Sequence, residues 1–428
     1  MNDDLEVVAG SVSIRDGRIA SVGQEPSDRH DTVIDAEGGY LLPGFIQTHI
    51  HLCQTLFRGY ADDLRLMDWL RTRIWPMEAA HTPASLRAAA RLACLELLRS
   101  GTTAILTMET VHDTDAVFEA VTETGIRATI GKCMMDAPDT GAPVRLREET
   151  RRSIDESASL HRRWHNTAGG RIRAAFAPRF AISCSRALLE GVAVLSRDEH
   201  ALVHTHASEQ QEELEIIRRA TGRSNVEYLQ HVGLASPRLN VAHCVWVDEG
   251  EIALLAEHDV KVTHCPGSNL KLGSGIAPVS EMHARGVCVS LGADGAACNN
   301  HLDMFGEMRL AAMLQATASQ PGALTARQAL WMATRNGARA LGLDGEIGSI
   351  EAGRRADLIV IDGCATHFAP DPDPFSTIVY AARPEDVRMA MIDGEVLVGD
   401  GQAARLDARS IRDEANREAR ALARRAGL

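Results

Sequence analysis

Two histidines one residue apart, His49 and His51, are the side chains of this sequence best placed to do chemistry. They end the apolar run 45–51, which has the character of a β-strand. Side chains along a strand alternate between its two faces, so residues two apart point the same way. Both imidazoles therefore project from one face at the end of one strand. Two neutral imidazoles held in this way supply half of a metal site.

Further candidate ligands stand where other predicted strands end. His206, His243 and Asp294 each end a separate apolar run. Four imidazoles and one carboxylate suit an ion such as zinc, which favours nitrogen and oxygen ligands. His204 and His206 face the same way, and we expect His206 to be the ligand because it lies nearer the strand end. His204 is then a deeper residue that packs beneath the ligands.

The segments that must position these residues alternate between strand-like and helix-like runs. Eight apolar runs have the character of strands: 45–51, 102–108, 127–132, 172–178, 201–206, 239–244, 260–265 and 287–294. Helix-like stretches such as 83–99 and 249–258 lie between them. This α/β pattern of eight repeats predicts parallel strands closed into a (β/α)8 TIM barrel, whose active site forms at the C-terminal strand ends. A doubly wound open sheet is the structural alternative.

The two ends of the chain have a different sequence pattern from the middle. Short strand-like pieces separated by Gly and Asp turns occupy residues 5–42, including 32–35, and return at 346–350 and beyond. We predict one small β-sandwich domain built from residues 1–42 and 346–406. The barrel, which carries the candidate metal site, then covers 43–345, and an amphipathic helix covers 407–428.

Composition narrows the classes of partner. The net charge of −13 over 428 residues argues against a nucleic-acid partner. Nine cysteines without a C-x-x-C pair argue against a disulfide framework and a cysteine zinc ribbon. The acidic N-terminus lacks a signal core, and no apolar stretch approaches the roughly 20 residues that span a bilayer. We expect a cytoplasmic protein with no membrane partner.

Several motifs together resemble the amidohydrolase superfamily, and the resemblance covers nearly the whole chain. They are Pro43-Gly44-Phe-Ile-Gln-Thr-His49-Ile-His51, His206-Ala-Ser-Glu209, Ala242-His243 and Gly292-Ala-Asp294. The branch they resemble holds methylthioadenosine/S-adenosylhomocysteine deaminases, 5′-deoxyadenosine deaminases, guanine deaminases and triazine hydrolases. The resemblance implies a (β/α)8 barrel with a small β-sandwich formed by both termini. It also implies one divalent metal per chain, usually Zn²⁺ with Fe²⁺ or Mn²⁺ as alternatives, held by His49, His51, His206 and Asp294.

The same resemblance implies catalytic roles for Glu209, His243 and Asp294. His243 would lie beside the metal and orient water or a developing oxyanion, and Glu209 would be the proton shuttle. Zinc lowers the pKa of a bound water to about 7. A glutamate that is not a ligand acts as acid and base in other zinc deaminases.

Four residues are candidates for substrate binding: Glu78, Trp75, Arg179 and Gln54. Glu78 stands at the spacing where adenosine-type deaminases carry a ribose-binding glutamate, and Trp75 lies beside it. Arg179 departs from the histidine usual in those enzymes and resembles the guanine deaminase pattern. A guanidinium donates hydrogen bonds and accepts none, so it suits an oxo group. Gln54 could read the edge of a base.

The sequence therefore predicts a zinc-dependent aminohydrolase acting on a small-molecule purine nucleoside. The expected substrate is of the 5′-deoxyadenosine, 5′-methylthioadenosine or S-adenosylhomocysteine type, and the products are the inosine analogue and ammonia. The alternatives are a guanine- or 8-oxoguanine-type free-base deaminase and an s-triazine hydrolase. A non-catalytic barrel scaffold is a remote third interpretation. We expect a homo-oligomer, either a dimer or a tetramer.

Overall fold

The computed structural model describes residues 2, 4–23, 32–138 and 141–428. Its strands are β1 Val12–Arg15, β2 Arg18–Val22, β3 Tyr40–Pro43, β4 Phe45–His51, β5 Thr102–Met108, β6 Arg127–Met134, β7 Ile172–Pro178, β8 Val203–Ala207, β9 Leu239–His243, β10 Lys261–His264, β11 Val289–Leu291, β12 Asp294–Gly295, β13 Leu358–Ile361, β14 Val387–Ile392, β15 Glu395–Gly399 and β16 Gln402–Ala403. Its α-helices are α1 Leu66–Trp69, α2 Trp75–Ala79, α3 Pro83–Arg99, α4 Thr114–Thr124, α5 Thr150–Trp164, α6 Arg186–Asp198, α7 Gln211–Thr221, α8 Asn225–His231, α9 Glu249–Glu257, α10 Pro266–Lys271, α11 Val279–Ala284, α12 Met304–Ala318, α13 Ala326–Ala333, α14 Arg335–Ala340, α15 Pro374–Ser376 and α16 Ala408–Ala426. Short 3₁₀-helices occupy Leu52–Phe57, Val144–Leu146, Ala168–Gly170, Thr366–Phe368 and Pro384–Asp386, and π-helical turns occupy Leu70–Ile74 and Thr377–Ala381.

A nine-stranded parallel sheet forms the middle of the molecule. Its order is β11-β10-β9-β8-β7-β6-β5-β4-β12. Two residues separate β11, which pairs with β10, from β12, which pairs with β4. The sheet therefore curls back toward its first strand. Strands β4, β5 and β6 are buried along their whole lengths, as expected for a parallel sheet covered on both faces.

Polar side chains fill part of the inside of this curled sheet. The Thr48 hydroxyl lies 2.8 Å from Thr263 Oγ1 and 2.7 Å from Ser290 Oγ, which joins β4 to β10 and β11. Gly292 lets the chain pass close to β4, since a Cβ there would lie 2.5 Å from the carbonyl oxygen of His49. This close approach brings Asp294 beside the histidines of β4.

A second, antiparallel sheet has the order β16-β15-β14-β13-β3, so it joins residues from both ends of the chain. The hairpin β1–β2 is separate from it but packs nearby, because the Ile19 amide donates to the Arg354 carbonyl at 2.8 Å. Ile19, Leu358 and Met391 lie in one apolar cluster. Two predicted strands were wrong, since residues 32–35 and 346–350 are not strands.

The predicted C-terminal helix is present as α16, and it packs against the rest of the chain. Leu422 is buried in the apolar cluster that also contains residues of the 66–77 segment. The Glu414 carboxylate accepts from Arg91 of α3 at 2.9 Å, and Arg425 donates to the Ala80 carbonyl at 2.9 Å. Across the described residues, no helix is both long and apolar enough to cross a membrane.

Candidate active site

The four predicted metal ligands converge at one edge of the parallel sheet. His49 and His51 end β4, His206 lies in β8, and Asp294 begins β12. His51 Nε2 lies 3.2 Å from His206 Nε2. Asp294 Oδ1 lies 3.2 Å from His49 Nε2 and 3.3 Å from His51 Nε2. Four residues from three separate parts of the chain thus present donor atoms to one point.

Backbone carbonyls fix the ring orientation of two of these histidines. His51 Nδ1 lies 2.8 Å from the Met108 carbonyl oxygen at the end of β5. His206 Nδ1 lies 2.6 Å from the Arg179 carbonyl oxygen, just past the end of β7. A carbonyl only accepts, so Nδ1 carries the proton in each ring and Nε2 keeps its lone pair. Both Nε2 atoms are therefore free to bind a cation.

Side chains, not backbone carbonyls, fix the ring orientation of His49 and His243. His49 Nδ1 lies 2.7 Å from His204 Nε2, and His243 Nδ1 lies 2.9 Å from Asn269 Oδ1. Burial lowers the pKa of His204 well below its usual value, so this imidazole stays neutral and its Nε2 can accept a hydrogen bond from His49 Nδ1–H. His204 therefore contacts a candidate ligand from beneath, as the sequence predicted.

These donors fit a small tetrahedral cation. An ion with bonds of about 2.0–2.1 Å separates its ligand atoms by roughly 3.3–3.4 Å, close to the spacings between His51, His206 and Asp294. His49 Nε2 is buried and makes no hydrogen bond among the described residues. Burial also lowers the pKa of His49 to about 4, which keeps the imidazole neutral for metal binding. The arrangement is a candidate His/Asp metal site.

Asp294 is held rigidly in the site. Its Oδ2 accepts from Ser268 Oγ at 2.7 Å, and its Oδ1 accepts from the Gly295 amide at 2.8 Å. Its backbone is left-handed, with φ of 59°. Burial raises the pKa of Asp294, but His49 and the neighbouring imidazoles outweigh burial and hold this pKa well below 3.8. The carboxylate is therefore ionised.

Glu209 faces the same point from the loop after β8. Its Oε2 lies 3.7 Å from His243 Nε2, and its Oε1 accepts from Ser274 Oγ at 3.3 Å. Burial raises the pKa of Glu209 to about 7. A carboxyl group with such a pKa can both take up and release a proton near neutral pH. Glu209 lies two residues before α7, in the loop that follows β8.

Three of the predicted substrate-binding residues contact one another. Arg179 binds both carboxylate oxygens of Glu78, with Nη1–Oε2 at 2.6 Å and Nη2–Oε1 at 3.2 Å. Gln54 donates to Glu78 Oε1 at 3.1 Å. Gln54 and Arg179 line the cavity above the metal ligands. Glu78 is buried behind them, so it is not a helix-surface acid and its carboxylate is already bound.

The structure does not place Trp75 in the cavity. Its side chain is fully buried in an apolar cluster, whereas Trp69 of the same segment lines the cavity together with Leu66 and Leu70. The π-helical turn at 70–74 separates the two tryptophans and breaks the regular helical period. The cavity measures about 30 Å³, which holds roughly one or two waters.

Two further polar residues near strand ends, Lys132 and His264, have different surroundings from the candidate ligands. Lys132 lies 2.6 Å from Glu148 and also donates to the Cys133 carbonyl, so its ammonium is engaged away from the histidines. His264 is buried, and neither of its ring nitrogens has a hydrogen-bond partner among the described residues. A single metal centre remains the simpler interpretation of the cluster.

The curled parallel sheet and its candidate His/Asp metal site are typical of metal-dependent hydrolases. The sequence profile of the Amidohydrolase family matches residues 40–397, and the chain belongs to this family. The chain is 45% identical over 396 residues to 5′-deoxyadenosine deaminase of Methanothermobacter thermautotrophicus, across 92% of this chain and 90% of that protein. It is 40% identical to the 5-methylthioadenosine/S-adenosylhomocysteine deaminase of Halobacterium salinarum, across 100% and 97% of the two chains. A zinc-bound adenosine deaminase from Xanthomonas campestris has a similar structure, with 33% identity, a TM-score of 0.87, and coverage of 96% and 93%.

Proposed function

We propose that this protein is a zinc-dependent aminohydrolase of adenine nucleosides. The substrate would be of the 5′-deoxyadenosine, 5′-methylthioadenosine or S-adenosylhomocysteine type, which is converted to the inosine analogue and ammonia. The observation that carries the proposal is the convergence of imidazole Nε2 atoms and Asp294 on one point, with Glu209 facing it. Relatives at 40–45% identity are named as deaminases of these nucleosides.

The ligands of the metal would be His49, His51, His206 and Asp294. Their donor set of three neutral imidazoles and a carboxylate suits Zn²⁺, one per chain, and also admits Fe²⁺ or Mn²⁺. When bound, such an ion lowers the pKa of water to about 7 and makes it a nucleophile. His243 lies 3.7 Å from Glu209 and 4.0 Å from Asp294, where it can orient that water.

Glu209 would move the protons of the reaction. Its carboxylate takes a proton from the attacking water as the oxygen adds to the ring carbon that bears the amino group. It then delivers this proton to the adjacent ring nitrogen, so the tetrahedral adduct is not left as an anion. A further proton transfer to the amino group releases ammonia and leaves the ring with an oxo group. The buried position of Glu209 keeps its pKa near that required for both transfers.

A second candidate function rests on Arg179 and Gln54. Both line the cavity, whereas Glu78, the predicted ribose ligand, is bound by both of them. Arg179 uses two nitrogens for Glu78 and retains further N–H donors, which suit an oxo group on a base. This arrangement favours a guanine- or 8-oxoguanine-type free base, or an s-triazine, as the alternative substrate class.

The test is an ammonia-release assay on the zinc-loaded protein. The panel contains adenosine, 5′-deoxyadenosine, 5′-methylthioadenosine and S-adenosylhomocysteine, with adenine, guanine and 8-oxoguanine as comparison. A chloro-s-triazine is followed by chloride release, because its dechlorination yields no ammonia. We expect release from the 5′-modified nucleosides. Release only from a free base would favour the second candidate, and no turnover of any compound would contradict both.

A Glu209→Gln variant tests the proton shuttle. Glutamine keeps the size of the side chain but cannot take up the proton of water. We expect it to bind one metal per chain and to lose at least about 100-fold in kcat, the lower end of what a general acid–base residue contributes. Glu212→Gln, three residues away and exposed, is the matched control and should retain full activity. Turnover by Glu209→Gln at the normal rate would remove the assignment.

The overall architecture and the assembly are part of the same proposal. We propose that the curled sheet closes as an eight-stranded (β/α)8 barrel over 43–345. The two antiparallel elements would then form the β-sandwich domain of 1–42 and 346–406, followed by the helix of 407–428. A homodimer or homotetramer is the proposed assembly. Light scattering after size-exclusion chromatography measures the oligomer directly, and a monomeric mass would contradict that part.

A further inference from the structure

We infer that Glu213 is the positioning residue that aims Glu209 at the reacting atoms. The inference rests on the proposed function, in which Glu209 moves the protons. Glu213 lies in the first turn of α7, is 1% exposed, and lines the same cavity. Burying a charge is unfavourable unless it is paired and hydrogen-bonded, so a second buried carboxylate beside the proton shuttle needs hydrogen-bond donors.

The contacts of Glu213 point to the backbone of the shuttle itself. Its Oε2 accepts from the Glu209 amide at 2.8 Å, and its Oε1 accepts from the Ser208 amide at 3.2 Å. Oε1 also accepts from Asn225 Nδ2 at 2.5 Å. Three donors thus surround one carboxylate. By contrast, the one hydrogen bond that the Glu209 carboxylate accepts within the described part of the chain comes from the Ser274 hydroxyl at 3.3 Å, which leaves this carboxylate available for protons.

The position of Glu213 explains how it reaches these amides. It is the third residue of α7, and in a capping box the residue at this position bonds back to the amide of the N-cap. The N-cap here is Gln210, whose side chain caps nothing. Glu213 instead reaches past it to the two preceding residues. The helix therefore anchors the loop that carries the shuttle.

The anchored loop needs such support. Ser208 has a left-handed backbone with φ of 56°, which is unfavourable for a residue with a Cβ. This turn is what directs the chain from the end of β8 back across the cavity. On its other side, the Trp246 amide donates to the Ser208 carbonyl at 2.9 Å. The Glu213 carboxylate and the β9 loop together hold the strained turn.

Glu213→Gln tests the role with little change in size. A glutamine has one acceptor oxygen for three donors, so its NH₂ group must face a backbone amide or Asn225. We expect the loop to loosen and kcat to fall by about 10- to 100-fold, the effect of misplacing a catalytic group by about 1 Å. Metal content and KM should stay within about twofold, since Glu213 contacts none of the proposed ligands. Glu212→Gln, exposed in the same turn, is the control.

Hydrogen–deuterium exchange gives a readout that needs no substrate. Peptides covering 204–210 should take up deuterium faster in Glu213→Gln than in wild type or Glu212→Gln, while the body of α7 stays protected. Unchanged exchange of this loop would overturn the inference, as would a normal kcat in an active enzyme. A fall in kcat that only follows lost metal would overturn it too. A wild type that turns over nothing refutes the proposed function instead, and the exchange result still decides the role of Glu213.

Discussion

Arg127 makes the most deeply buried ion pair outside the catalytic end of the sheet, and its removal gives a sharp test of what holds the fold together. The guanidinium lies at the first residue of β6 and is 2% exposed. Its Nε donates to Asp357 Oδ2 at 2.7 Å, and its Nη2 donates to Asp357 Oδ1 at 3.0 Å and Asp393 Oδ1 at 2.8 Å. Asp357 directly precedes β13, so this pair joins the parallel sheet to the antiparallel one.

Arg127→Met removes the cation and keeps the apolar stem. The Asp357 carboxylate, itself 2% exposed, would keep only the Asp393 amide at 2.9 Å as a donor. Breaking a buried pair in this way destabilises a protein by about 3–5 kcal/mol. The entropy of unfolding is about 2.1 cal/mol/K per residue, or about 0.9 kcal/mol/K for 428 residues. The expected fall in Tm is therefore about 3–6 °C.

Calorimetry at pH 7 measures this fall, and Arg151→Met is the matched control. Arg151 also pairs with an aspartate, Asp155 at 3.0 Å, but its side chain is 80% exposed. Such pairs contribute little, so the control should shift Tm by less than about 1 °C. Metal content and ammonia release at 25 °C should be normal in both variants, because Arg127 lies at the opposite end of β6 from the metal ligands. A shift under about 1 °C for Arg127→Met, or equal shifts in both variants, would refute the reasoning.

Three further predictions concern the metal and pH. His204→Phe should weaken metal binding about 10- to 100-fold, because His49 Nδ1 loses its acceptor; competition with a chromogenic chelator measures this, and unchanged affinity would contradict the role. Removing the metal with a chelator should lower Tm by about 4–5 °C relative to protein in a free metal concentration about a thousand times Kd. Metal at that concentration stabilises the fold by about 4 kcal/mol. A melt insensitive to metal would argue against the site. Burial raises the pKa of Asp393, but Arg127 and Arg355 outweigh burial and hold this pKa below 3.8. The stability that ionised Asp393 contributes is therefore fully present above pH 3.8. It is lost as the pH falls through the lowered pKa of the folded state. Melts from pH 3 to 7 should show the Tm gap between wild type and Arg127→Met narrowing only at the acid end, and a gap that narrows toward pH 7 would have the wrong sign.

The sequence predicted which side chains the structure brings together, in part because period-two alternation is a local property. His49 and His51 share a face wherever a strand forms, and parallel strands end together at one edge. Depth along the strand favours His206 over His204 as a ligand, and the structure places His204 beneath His49. That these residues bind a metal stays a prediction.

The substrate side of the cavity could not be predicted in the same way. Arg179 and Glu78 lie 101 residues apart in the sequence. No local pattern predicts that the guanidinium donates to this carboxylate instead of to a substrate. The predicted strand at 346–350 was wrong for a related reason. Gly348 has a left-handed backbone with φ of 90°, and the Glu346 carboxylate accepts from Arg18 and Arg355, each at 2.9 Å. Contacts with the N-terminal hairpin therefore stabilise a turn where the local pattern favours a strand.

The histidine tautomers show how the fold itself prepares the chemistry. The acceptors for His51 and His206 are main-chain carbonyls of neighbouring segments, Met108 and Arg179. The Arg179 carbonyl also accepts from the His206 backbone amide at 3.1 Å, so the backbone pairing of the two adjacent segments places this carbonyl against the ring. The orientation of these two rings therefore depends on strand register rather than on the identity of the side chain at 108 or 179. A different side chain at position 179 would therefore leave the contact between this carbonyl and His206 Nδ1 in place.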